Sequence, residues 1–241
     1  MPNRSTPTSA TTTWTTAGVI ALALSGVLLA LGTLTPQPDQ ASDPDGWAHF
    51  VTSTSYLPSH IATNLAGAAL AILGTFALTV LIASRTPRLA PTGMLLAVTG
   101  QVFFSVPAVV STFVTPAIGQ AYLHGNQAVM TLEFPAAMTA ITMLALLLTV
   151  AGNIILGVAA ARSGFVPPWA GVVWATATVI FYLLGFALGV ATTGASLPTQ
   201  PVGAALLALS GTAMAWAAAH RVHTGSTDRR PQAAVTVPSR R

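Results

Sequence analysis

The stretch of sequence that decides the fold is residues 136–162, AAMTAITMLALLLTVAGNIILGVAAAR. It carries no charged side chain before Arg162, and it exceeds the ~20 apolar residues that an α-helix needs to cross a bilayer core of about 30 Å. Pro135 separates it from the apolar residues upstream, because a proline interrupts the hydrogen bonding of a helix interior. We therefore predict a membrane-spanning helix over about 136–160, with Arg162 just beyond its end.

Five other stretches have the same apolar character, and together they predict six spans. Charged residues make up 6% of the chain and hydrophobic residues 53%, with a mean hydropathy of +0.70, whereas soluble domains average about 25% charged residues. The predicted fold class is an all-α polytopic membrane protein of six transmembrane helices. The predicted spans one to six cover about 14–34, 60–83, 90–114, 136–160, 169–191 and 202–219.

The remaining segments are predicted to be tails and connections. Residues 1–13 are rich in Ser, Thr and Pro and are predicted to form a disordered N-terminal tail. Residues 14–220 form the six-span domain, and its first apolar run is longer than the roughly 7–15 residues of a signal sequence, so we expect it to stay uncleaved. Residues 221–241 are predicted to form a basic cytoplasmic C-terminal tail.

The cationic residues predict the orientation in the membrane, because Lys and Arg accumulate next to spans on the cytoplasmic side. All nine are arginines, and none lies in the connections 35–58, 116–128 or 192–200. We therefore expect both termini in the cytoplasm and a bacterial cytoplasmic (inner) membrane as the location. The arginines stand before span one, between spans two and three, between spans four and five, and after span six: Arg4, Arg85, Arg88, Arg162, Arg221, Arg229, Arg230, Arg240 and Arg241.

Two local features are also predicted from single residues. Asp43-Pro44-Asp45 is typical of a helix start, with an Asp cap, a proline at the first position and an acid in the first turn. It predicts a short helix at the outer membrane interface, inside the connection 35–58. Pro107 predicts a kink in span three.

Several chemistries are excluded by composition. The chain has no Cys, which excludes disulfides, thiolate zinc sites, iron–sulfur ligation and covalent haem attachment. It also has no Lys, which excludes a phosphate-binding loop of the usual kind and Schiff-base catalysis. No hydrolase, metalloprotease or nucleotide motif occurs. We expect a non-enzymatic protein without a cofactor, and no nucleic-acid partner, because the arginines are not gathered on one face.

The loop at 162–169, RSGFVPPW, resembles a loop of small uncharacterised multi-span bacterial integral membrane proteins. Those proteins are also similar to this chain in length and number of spans. Pro168 stands where we would expect a basic residue before Trp169. The resemblance covers one loop and the general layout. It implies no activity, so no functional residue is carried over.

Reactive side chains are concentrated on the predicted outer face. His49 and His124 lie in outer connections, His60 opens span two, Asn64 lies one turn deeper, and Glu133 stands just before Pro135. Histidines with a carboxylate can bind a first-row divalent metal or pass protons. The alternative is that these are ordinary interface residues, because no short ligand spacing links them.

Two amides and a glycine pair lie within the spans. Gln101 and Asn153 are candidate functional residues, because polar groups are costly in the membrane. The alternative is interhelical hydrogen bonding, worth about 0.6 kcal/mol for each bond. Gly185 and Gly189 form a small-residue motif that allows close helix packing, either within the bundle or in a homodimer.

These residues favour a transporter-like protein with an outward-facing vestibule built from spans two, three and four. In this hypothesis Glu133 is the titrating or cation-attracting group, flanked by His60 and His124. A competing hypothesis is a structural protein that interacts, besides the lipid bilayer, with a membrane-protein partner. A third is a His-ligated metal or haem protein, which is disfavoured because no two histidines lie at mid-membrane depth on facing helices.

Overall fold

The computed structural model describes residues 9–133, 135–193 and 196–227 of the chain. The predicted tail residues 1–8 and 228–241, with Arg4 and the four arginines at 229, 230, 240 and 241, lie outside the described residues. Helices form most of the described chain, and no strand occurs in those three ranges. The all-α prediction is confirmed.

Six helices are long and apolar enough to cross a membrane. They fit an integral membrane protein that crosses the bilayer several times, as the hydropathy predicts. Span one belongs to a helix that begins at Ser9, and span six to a helix that continues to Thr227. In the order of the chain, the spans are Thr13–Gly32, Tyr56–Ile82, Leu89–Leu123, Ala136–Ser163, Pro168–Thr192 and Thr199–His220.

The observed helices extend beyond several of the predicted bounds. The helix of span one includes residues 9–13 of the predicted disordered tail, because these Ser, Ala and Thr residues contain no helix breaker. Span three runs to Leu123 instead of ending near 114. Residues 116–123 were predicted to belong to the polar connection 116–128. They are helical in the structure, where this part of span three packs on the short helix Pro44–Val51.

Three spans contain a π-helical segment, which adds a residue to a helical turn and leaves backbone groups without their usual partners. The segments are Ile61–Ala66 in span two, Val110–Val114 in span three and Val179–Ala187 in span five. At the predicted kink, the helix of span three continues through Pro107 and changes to the π conformation shortly after it. The proline therefore coincides with a local change of helix type.

The six spans form a closed arrangement. Each span packs against the next in the chain, and span six packs against span one. The interior is apolar, with Leu22, Leu78, Leu156 and Met214 almost fully buried. Burial of such side chains holds spans from distant parts of the chain together.

Spans three and four approach most closely, and glycines make this possible. A methyl group at Gly152 would overlap the backbone of Ala97 on span three. Gly100 lies against Thr149, whose buried hydroxyl oxygen has no hydrogen-bond partner in the described part of the chain. Contacts between Cα–H groups and oxygens are common where helices touch this closely. Spans three and four are thus the most closely packed pair of neighbouring spans.

Candidate functional site

The short helix that Asp43-Pro44-Asp45 predicts is present in the structure. The helix spans Pro44–Val51, and the Asp43 carboxylate accepts a hydrogen bond from the Gly46 backbone N–H at 2.9 Å. Its apolar face packs on span three and on the 3₁₀ turn Gln127–Thr131. We call this cluster the outer cap, after the membrane side that the arginines predict for it. It consists of Trp47, Ala48, Val51 and Tyr56, with Phe50, Ile118, Tyr122 and Met130 packed against them.

Two tyrosines connect the outer cap to the spans. The Tyr56 hydroxyl donates to the backbone carbonyl of Ser111 at 2.9 Å, within the π-helical segment of span three. The Tyr122 hydroxyl donates to the Asp45 carboxylate at 3.0 Å. The first bond satisfies a carbonyl in irregular helix and links spans two and three. The cap therefore closes over the outer ends of these spans.

His60 is oriented by the cap. Its ring stacks on Tyr56 with centroids 3.7 Å apart, and its Nδ1 lies 3.0 Å from the Tyr56 carbonyl oxygen. A carbonyl only accepts, so this contact requires the proton on Nδ1 and leaves Nε2 as the acceptor. Asn64 lies one turn deeper, half-buried, in the π-helical segment Ile61–Ala66.

The other predicted vestibule residues are exposed. Glu133, His124 and His49 all have exposed side chains. Within the described ranges, no group of three His, Asp or Glu side chains is arranged as a metal site. A shared vestibule of Glu133, His60 and His124 stays a prediction.

Asp39 gives the outer connection a stable negative charge. Its carboxylate accepts hydrogen bonds from the backbone N–H groups of Ser42, at 2.7 Å, and Ala41, at 2.9 Å. The bonds from Ser42 hold the pKa of this exposed carboxyl below its ordinary value, because hydrogen bonds to the charged form favour it. The turn therefore stays anionic to more acidic pH than a free aspartate.

The buried amide of Asn153 is hydrogen-bonded through both its oxygen and its nitrogen. Its Oδ1 accepts from the indole N–H of Trp174 at 3.0 Å, and its Nδ2 donates to the Thr149 carbonyl at 2.8 Å. Thr149 lies on span four, as Asn153 does, and Trp174 lies on span five. The bond to Trp174 therefore joins the two helices of this hairpin. This geometry matches the interhelical hydrogen bond that was one of the two predicted roles.

Gln101 makes a different kind of contact. Its Nε2 donates to the hydroxyl of Tyr182 at 3.3 Å, and Tyr182 lies in the π-helical segment of span five. Phe104, one turn further along span three, meets Tyr182 and Phe186 edge-on with centroids 6.1 Å and 5.9 Å apart. We call these four side chains the interior contact. It joins spans three and five, which do not follow each other in the chain.

Gly185 is used inside the bundle. A methyl group at this position would overlap the backbone of Gln200 at the start of span six. Gly189, one turn further along, is buried. The motif therefore supports close packing of spans five and six, as one of its two predicted roles requires.

Sequence reasoning found the two amides and missed their partners. Trp174 and Tyr182 are aromatic residues with a polar tip, and such tips need a partner when buried. The need of these polar tips for a partner could have indicated Trp174 and Tyr182 as partners of the amides. No local spacing links Gln101 to Tyr182, however, because they are separated by 81 residues.

Comparison with known proteins adds no family to this description. The chain matches no protein-family model, no curated protein and no solved structure.

Proposed function

We propose that this membrane protein is a small, non-enzymatic, transporter-like bundle of the bacterial cytoplasmic membrane, with both termini in the cytoplasm. Its solute path leads from a polar vestibule under the outer cap to the interior contact between spans three and five. The observation that carries the proposal is the bond from Gln101 to Tyr182. It is a polar link in an apolar interior, and it lies on a π-helical segment.

The length of this bond supports the proposal that the interior contact acts as a gate on the solute path. At 3.3 Å it is longer than the roughly 2.9–3.0 Å that is usual for N–H···O bonds. Bonds of this kind inside membranes contribute only about 0.6 kcal/mol. Thermal motion can therefore open the contact, and the π-helical segment of span five provides a backbone that is not locked in regular α-helix.

The vestibule is the less direct part of the proposal. His60 and Asn64 are half-buried, and His60 stacks on Tyr56 of the outer cap, so the two residues would meet a solute that passes Tyr56. Glu133, His124 and His49 would surround the entrance. In this arrangement the carboxylate of Glu133 attracts a cation or a proton to the entrance, and His60 receives it.

The competing proposal is a structural protein that binds a membrane-protein partner or a second copy of itself. Asn153 favours it, because its bond to the Trp174 indole ties spans four and five together in the interior of the bundle. A structural role predicts no flux through the bundle.

Uptake by proteoliposomes tests the transport proposal. We expect the protein to conduct protons or a divalent cation, and we expect Glu133→Gln to lower the initial rate. Asp39→Asn is the matched control, because it removes an outer charge but keeps an oxygen that can accept the turn's hydrogen bonds. Equal rates for the Glu133→Gln variant and the unaltered protein would refute the role of Glu133, and the absence of any flux would favour the structural protein.

A further inference from the structure

A groove runs along the outside of the bundle between spans four and five, next to the turn that connects them. Its volume is about 280 Å³. It opens toward the membrane, because Val172 on its edge is 59% exposed. Small and apolar side chains form its walls, and Thr176 and Arg162 contribute its polar side-chain groups. The wall residues are Val158, Ala161, Val172 and Ala175.

The groove follows from the way the two helices touch. A methyl group at Gly171 would overlap the backbone of Ala161, and one at Gly157 would overlap the carbonyl of Gly171. The backbones are therefore in direct contact along this line. The side chains next to it are too small to fill the space on the membrane side, so a furrow remains.

The size and lining of the groove restrict what it can hold. Pockets for drug-sized molecules usually measure about 300–1,000 Å³ and place a small number of polar groups among apolar walls. This groove is slightly smaller, at about 280 Å³, and its polar side-chain groups are the Thr176 hydroxyl and the Arg162 guanidinium. A flexible hydrocarbon chain fits such a surface.

Arg162 restricts the ligand further. It stands in the last turn of span four with its side chain exposed. In the described part of the chain, no carboxylate forms an ion pair with it. A guanidinium group presents a planar fork of N–H donors that matches a phosphate. Trp169, 49% exposed at the start of span five, marks the depth at which lipid headgroups lie.

We propose that this groove binds one anionic phospholipid. Its acyl chain lies between Val158 and Val172, and its phosphate binds Arg162. Basic sites between membrane helices are suited to anionic headgroups, and a cation near an anionic membrane surface contributes about 1 kcal/mol. The groove adds a surface for the acyl chain, so the lipid is expected to bind at one defined site. The site is independent of the proposed transport function.

Native mass spectrometry of the full-length protein in detergent tests the site. Phosphatidylglycerol and phosphatidylcholine of equal chain length serve as probes. We expect phosphatidylglycerol to bind about fivefold more tightly, the factor that corresponds to one such charge contact. We expect Arg162→Gln to abolish this preference. The matched control is Arg88→Gln, because Arg88 is also an exposed arginine at the end of a span, but it does not line the groove.

A second variant tests the groove without changing a charge. Val172→Phe adds a ring at an exposed edge, so the bundle can fold while the groove is partly filled. We expect weaker binding of both lipids. Equal binding of the two lipids to the unaltered protein would overturn the proposal, as would an equal effect of Arg88→Gln and Arg162→Gln. Unchanged binding to the Val172→Phe variant, or equal competition by glycerol phosphate, would show that the acyl chain does not occupy the groove.

Discussion

Two amides within the spans, buried Asn153 and half-buried Gln101, show how residues of one chemical type take different roles. Asn153 is bonded at both ends, to Trp174 and to a backbone carbonyl. Gln101 makes one long side-chain bond, to Tyr182. Both were predicted as intramembrane polar residues, because amides stand out in an apolar run. Their roles could not be predicted from the sequence, since the difference is in partners that lie on other spans.

Replacing each amide by an apolar residue of similar size should therefore have unequal effects. Asn153→Leu leaves the Trp174 N–H buried without an acceptor, and we expect a loss of about 1–2 kcal/mol in the free energy of unfolding. Gln101→Met removes one weak bond, and we expect a loss of about 0.6 kcal/mol. Reversible unfolding of the detergent-solubilised protein by sodium dodecyl sulfate measures both. An equal or larger loss for Gln101→Met would contradict a breakable interior contact.

At the scale of helices, the sequence predicts what depends on local composition. The six apolar runs and the cap formed by Asp43 are of this kind, since each follows from neighbouring residues. The three π-helical segments and the extension of span three to Leu123 are not. These depend on contacts such as the one between Tyr56 and Ser111, which are 55 residues apart. Glu133 is exposed and His60 is half-buried. The sequence indicates these residues as reactive, but it does not predict how they are arranged in space.

The bond from Tyr56 to Ser111 should hold the outer cap on the spans. Tyr56→Phe keeps the ring and its stacking but leaves the Ser111 carbonyl without its donor. We expect a local destabilisation of about 1 kcal/mol, which should appear as faster amide hydrogen exchange in residues 44–60. Tyr122→Phe is the control, because its bond to Asp45 is exposed to solvent and such bonds contribute little. Equal exchange rates in both variants would show that the bond from Tyr56 to Ser111 does not hold the outer cap on the spans.

At the scale of the whole molecule, the spans form a closed bundle in which some pairs are packed closely and one pair meets through a weaker contact. Spans three and four are held by glycine contacts, and spans four and five by Asn153 and Trp174. The interior contact between spans three and five is the weaker link. The arginines predict which membrane face each connection occupies, and that orientation determines from which side a solute would reach Gln101.

Labelling of single cysteines in intact cells with a membrane-impermeant maleimide tests most directly whether water reaches the interior contact from the predicted outer face. The chain has no Cys, so every label reports one introduced site. Ser105 lies one turn from Gln101, on its outer side, and bonds to its carbonyl at 3.1 Å. Ser53→Cys and Ser84→Cys report the predicted outer and inner faces, and Ser210→Cys reports the buried core.

We expect labelling of Ser53→Cys and of Ser105→Cys, with faster labelling of Ser105→Cys when Tyr56→Phe is added. We expect no labelling of Ser84→Cys or Ser210→Cys. Labelling of Ser84→Cys in place of Ser53→Cys would contradict the orientation. Labelling of Ser105→Cys no faster than that of Ser210→Cys would contradict a water-accessible path from the outer face to the interior contact.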